Sequence, residues 1–127
     1  MTLGNARLTA FLATANARRS KAFYRSKLGL PLLADDTFAL SFDCHGVELR
    51  IQKVDSVKPH RFTALGWKVR GLRRVMATLA KRGIAFERYA FLDQDEDGVW
   101  LAPSGTRVAW FKDPDGHLLS VSESGPA

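Results

Sequence analysis

The chain repeats its own plan, and that repeat limits the folds open to it more than any single motif. Residues 7–13 read as a strand. Residues 17–28 follow as an amphipathic helix with Asn16 as N-cap, Ala22, Phe23 and Leu28 on the inward stripe, and Gly29 as the closing residue. The same order returns later. Residues 62–69 read as a strand and residues 72–82 as a helix, with Leu72, Val75, Met76 and Leu79 at the spacing of one buried face and Gly83 closing it. Short strands follow each helix: 32–34, 37–43 and 47–54 in the first half, and 85–89, 99–101, 107–112 and 117–122 in the second. The turns Cys44-His45-Gly46 and Asp113-Pro114-Asp115-Gly116 carry the small, polar and glycine residues that tight reversals demand. The expected domain is one α+β unit across 1–127. Its first module covers about 7–54, its linker 55–60, its second module about 61–122 and its tail 123–127.

The run AFYRSKLGL (Ala22–Leu30), the turn-and-strand FKDPDGHLL (Phe111–Leu119) and the repeated plan resemble the vicinal oxygen chelate superfamily. That superfamily includes glyoxalase I, extradiol dioxygenases, and bleomycin- and fosfomycin-resistance proteins. The resemblance runs from about Arg7 to Ser122. It implies two βαβββ modules forming a curved mixed sheet around a cavity, and a homodimer. Fold alone does not assign chemistry, so the site has to be argued from its own residues.

Enzymes of the superfamily hold a divalent ion with His, Glu or Gln from the first and last strands of each module. Carried onto this chain, those positions fall at Thr9, Arg50, Ala64 (or Thr63) and Ser120. Arg50 is a permanent cation without an acceptor, and the others lack the imidazole or carboxylate donors a divalent ion needs. The remaining candidates, His45, His60, His117, Glu48 and Glu123, form no coherent set. No cofactor is therefore expected. A displaced divalent metal site would have to use His60 and Glu48.

Alternation along residues 47–52 puts Val47, Leu49 and Ile51 on a face that packs against a helix, and Glu48, Arg50 and Gln52 on the other. The fold implied by the resemblance turns that second face toward the cavity, together with Thr9, Phe11 and Ala13 from the first strand. Ala64, Gly66 and Lys68 would join them from the fifth strand, and Leu118, Ser120 and Ser122 from the last. Alternatively, Glu48 and Arg50 simply face solvent on an exposed sheet. Trp67, Trp100 and Trp110 are read mainly as core, with Trp100, beside an acidic loop, the best placed at a cavity mouth. The expected ligand-binding set is Thr9, Phe11, Glu48, Arg50, Gln52, Lys68, Trp100 and Ser120. The expected ligand is a small, partly apolar anion gripped by Arg50. Bleomycin, a cationic drug, suits such a cavity poorly.

Two further function classes stay open. One is a glyoxalase-like lyase or isomerase, or a dioxygenase, with either a displaced metal or Glu48 as general base and Arg50 stabilising an enolate. The other is a nucleic-acid-binding or interaction module, prompted by a net charge of +6 and by basic helices. The chain lacks the aromatic-plus-basic sheet motifs and the helix-turn-helix of such modules. Residues 93–98 match the opening of a calcium loop, but Ser104 stands where the bidentate glutamate belongs, so a solvated acidic loop is expected. That loop is free to cover the cavity mouth or to meet basic helices of another subunit. Cys44 and His45 point to opposite faces, and no nucleophile elbow, Walker loop or dinucleotide fingerprint occurs. No apolar run approaches the ~20 residues that span a bilayer. With a single cysteine and no signal-peptide core, a cytoplasmic location is expected.

Overall fold

The structure is a computed structural model that describes residues 2–125. The chain is α+β and divides between Lys58 and Pro59 into two compact units. In the first unit, β1 (Thr9–Thr14) leads into α1 (Ala17–Ala22), and β2 (Leu32–Asp35), β3 (Ala39–Cys44) and β4 (Val47–Lys53) follow. The second unit has β5 (Thr63–Lys68), α2 (Leu72–Lys81), β6 (Trp100–Leu101), β7 (Arg107–Lys112) and β8 (Leu118–Glu123). Each unit builds a four-stranded mixed sheet, in the orders β1-β4-β3-β2 and β5-β8-β7-β6. In both, the first strand runs parallel to the last, and the other neighbours are antiparallel. The expected strand–helix–three-strand repeat is therefore present.

Several local features depart from the sequence expectation, besides shifts of one or two residues at most strand ends. The first helix is α-helical only to Ala22 and then widens into a π-helical turn over Phe23–Lys27. Ser20, Phe23 and Tyr24 point inward at the i, i+3, i+4 spacing of one helix face, which leaves Ala22 exposed rather than on the buried stripe. Tyr24 is fully buried, its ring 5.8 Å from Phe42 of β3 and 5.1 Å from Phe23. Residues 85–89 do not form a strand; Glu87 donates its amide to the Trp110 carbonyl, an extended run beside β7 without a ladder. The last strand extends to Glu123, one residue past the expected module end. Of the expected tail 123–127, residues 126–127 lie outside the described residues.

Alternation decides each sheet's core. Leu49 and Ile51 of β4 are buried together with Leu40 and Phe42 of β3 and Leu12 of β1. In the second unit Ala109 and Phe111 of β7 and Leu119 and Val121 of β8 are buried, as are Leu72, Met76 and Leu79 of α2. Phe86 meets the Phe111 ring edge-on at 5.9 Å. The DPDG turn closes β7 onto β8: one Asp113 carboxylate oxygen accepts from the amides of Asp115 and His117, and Gly116 takes the positive φ the reversal needs.

The start of α2 has an unusual solution to a common problem. The first amides of a helix lack intrahelical acceptors. Here the residue before the helix is Gly71, in the left-handed region, with no side chain to cap them. Glu123, from the far end of the unit, accepts from Gly71 N at 2.9 Å and Leu72 N at 3.0 Å, and Arg107 Nη2 donates to it at 3.0 Å. The two backbone donors, then Arg107, hold its carboxyl below the ordinary carboxylate range. Because the folded-state pKa is the lower one, this stabilisation is complete above the ordinary glutamate pKa of about 4.3. It fades as pH falls through the folded-state value. Glu123→Gln is accordingly expected to lower the melting temperature at neutral pH and to narrow its deficit from the wild type in acid. Thermal melts at both pH values check this, and a deficit independent of pH would contradict the assigned charge.

Candidate functional site

In the first unit the face turned away from the helix gathers the polar residues that alternation picks out. β1 and β4 run side by side with Thr9 opposite Glu48, Phe11 opposite Arg50 and Ala13 opposite Gln52. On the other side of β4, Asp43 lies opposite Glu48, Ser41 opposite Arg50 and Ala39 opposite Gln52. Directly paired residues share a face, so Thr9, Phe11, Glu48, Arg50 and Gln52 stand together. Their exposures fit: Leu12, Leu49 and Ile51 are buried, whereas Phe11 is 55% exposed and Arg50 half-buried.

Two side chains on this face have distinct partners. The Ser41 hydroxyl donates to Glu48 Oε2 at 2.6 Å, fixing the carboxylate over β3. Arg50 acts on Asp36 only through space, and among the described residues its guanidinium has no ion-pair partner. The nearby acid Asp35 is already taken by Lys53 at 2.7 Å and Lys21 at 3.1 Å, which hold its carboxyl below its ordinary range. An arginine left without a carboxylate, beside an exposed phenylalanine, offers a planar fork of donors to an incoming anion.

The equivalent face of the second unit carries Gly66 opposite Ser120 and Lys68 opposite Ser122. A bulge between Thr63 and Leu65 interrupts the even alternation expected of Ala64, Gly66 and Lys68, and Thr63 pairs with Leu118. Trp110 lies opposite Ser120 and Trp100 opposite Val108, so both tryptophans stand on this face. Their ring centres are 6.0 Å apart, and Trp110 Nε1 donates to Thr63 Oγ1 at 3.0 Å. Trp110 was expected chiefly in the core. Alternation already indicated otherwise, since its neighbours Ala109 and Phe111 are the buried pair. Trp67, in contrast, pairs with buried Val121 on the core face.

The positions to which the resemblance carries a metal site do not offer the donors of a divalent ion. Thr9, Arg50, Thr63 or Ala64, and Ser120 supply hydroxyls and a cation, without an imidazole or carboxylate among them. His60 stacks on Phe62 at 4.8 Å, and Glu48 is engaged by Ser41. Among the described residues, no three His, Cys, Asp or Glu side chains cluster as a metal site would require.

The acidic segment is strapped down within its own unit. Arg73 of α2 pairs with Asp95 at 2.5 Å and Asp97 at 2.8 Å, and Arg88 donates to the carbonyls of Asp95 and Glu96. Asp95 also accepts from the amides of Asp97 and Val99, an internal turn rather than a calcium cradle. The basic helix that this segment meets is α2 of its own unit, through Arg73. No helix among the described residues is long and apolar enough to cross a membrane.

The sequence pattern of the Glyoxalase/Bleomycin resistance protein/Dioxygenase superfamily matches residues 7–121. No curated protein sequence matches the chain. Among solved structures, the fold is similar to a glyoxalase family protein from Bacillus anthracis, with a TM-score of 0.74, 16% identity, and 95% of this chain and 96% of the other covered. It is similar to lactoylglutathione lyase from Agrobacterium tumefaciens, with a TM-score of 0.73, 16% identity and coverage of 94% and 93%. A bleomycin resistance determinant encoded on the transposon Tn5 superposes with a TM-score of 0.74, 18% identity and coverage of 96% and 100%. At these identities the likeness shows a shared fold.

Proposed function

The chain belongs to the Glyoxalase/Bleomycin resistance protein/Dioxygenase superfamily, and from that premise we propose that it binds a small, partly apolar anion without a metal ion. The observation that carries this reading is Arg50. It occupies a position at which the superfamily's enzymes place a metal ligand, it is half-buried beside Phe11, and no carboxylate pairs with it among the described residues. A guanidinium there repels a divalent cation and attracts a carboxylate or phosphate by the same charge. Thr9 and Gln52 add neutral hydrogen-bonding groups on the same face, and Glu48, fixed by Ser41, supplies an acceptor for a hydroxyl or amine on the ligand. Within the second unit, Lys68, Trp100 and Ser120 are proposed as ligand-binding residues that offer charge, ring surface and space. A homodimer is part of the same proposal.

Metal analysis of protein purified without chelators, with thermal melts in Ni²⁺, Zn²⁺, Mn²⁺ and Fe²⁺, tests it. The expected result is substoichiometric metal and no saturable shift in melting temperature. The same melts with small carboxylates and phosphates are expected to rise with ligand concentration, as binding to the native state alone requires. One bound metal per chain would overturn the metal-free reading.

A further inference from the structure

The second unit holds a cleft of about 560 Å³ whose lining does not include Arg50. We propose that this cleft binds a planar aromatic ring carrying a carboxylate. Its lining combines the rings of Tyr89, Phe91 and His60 with the cations Arg61 and Lys112, and Leu118 is among its apolar lining. No carboxylate is among the lining residues. Lys112 has one acidic neighbour, Glu87, at 3.7 Å, and Arg61 has no ion-pair partner among the described residues.

The rings are arranged to receive another ring. Tyr89 stands at 83° to Trp110 with centres 5.8 Å apart, and Phe91 lies 5.4 Å from Tyr89. Phe91 is 82% exposed, a large apolar side chain with no cover over most of its surface. An added aromatic group would extend this series of edge-to-face and tilted contacts, which contribute beyond simple area burial. Burial, then the charge of Glu87, raises the Tyr89 phenol above its ordinary pKa. It therefore remains a hydroxyl able to donate to an anion. Pro59 sits close against the Gly116 turn, where a Cβ would meet its ring at 3.0 Å, so the wall beside His60 is held in place.

Each part of the lining excludes a class of ligand. A neutral ring would leave Arg61 without a counterion, an aliphatic acid would leave the rings unstacked, and an organic cation would be repelled by Arg61 and Lys112. The volume lies within the range of ordinary small-molecule sites and accommodates one or two fused rings.

Calorimetric titration of the full chain with 2-naphthoate, 2-naphthalenemethanol and cyclohexanecarboxylate tests the assignment. The expected result is saturable binding of 2-naphthoate, with each of the other two weaker by about tenfold or more. The double variant Arg61→Gln, Lys112→Gln, shown folded by its circular dichroism, is expected to lose about tenfold in naphthoate affinity. Arg25→Gln, at an exposed position of the first unit's helical segment that does not line the cleft, is expected to retain it. Absence of saturable binding, equal binding of the alcohol, or an unaffected double variant would overturn the proposal. Loss of naphthoate binding in Arg50→Ala with none in the double variant would also overturn it, by moving the anion to the first unit.

Discussion

Phe111→Ala is expected to lower the unfolding free energy by about 3–5 kcal/mol. The ring is fully buried in β7, meets Phe86 edge-on, and shares the core face with Ala109, Leu119 and Val121. Its removal takes a large apolar surface out of the core and leaves a cavity that paired strands on either side cannot readily close. Phe91→Ala removes the same ring from an exposed site and is expected to stay within about 0.5 kcal/mol. Urea denaturation of both variants checks the contrast. Equal losses would mean that the Phe111 side of β7 is not the packed core described. Because small domains are stable by only about 5–15 kcal/mol, the first substitution takes a large share of the total.

The second large effect concerns binding. Once an anionic ligand has been found by melting shifts, Arg50→Ala is expected to weaken it by about tenfold to a hundredfold, the range for a charge-assisted hydrogen bond. Arg50→Lys is expected to fall between the two, because it keeps the charge and loses the two-pronged geometry. Neither variant should alter the melting temperature of the ligand-free protein by much, since the guanidinium has no ion-pair partner to lose among the described residues. Unchanged affinity in Arg50→Ala would remove Arg50 from the site. A drop in stability without ligand would reassign it to structure.

The parts that were legible in the sequence were those governed by short periods. β4 could be read residue by residue, because a period of two puts Leu49 and Ile51 on one side and Glu48, Arg50 and Gln52 on the other. Gly116 and Asp113 announced their turn because few other residues satisfy its geometry. The same rule applied to β7 would have placed Trp110 outside the core; the general tendency of tryptophan to be buried pulled the other way. The π-helical turn was not legible, since a widened turn and a regular one differ by a single residue of phase. The cleft was hidden for a different reason. His60, Tyr89 and Lys112 come from segments without a common period, and only tertiary structure makes them neighbours. The role of Glu123 left half a trace: α2 begins after a glycine and lacks its own cap, so its amides needed an acceptor from elsewhere.

That borrowed cap also imposes an order on biosynthesis. On the ribosome, α2 emerges with its leading amides bare, and the carboxylate that covers them is translated 51 residues after Leu72. β5 must wait as well, because β8 is its ladder partner. Until then the nascent second unit exposes an unpaired strand and an uncapped helix, the condition in which chains are most open to aggregation and to chaperones.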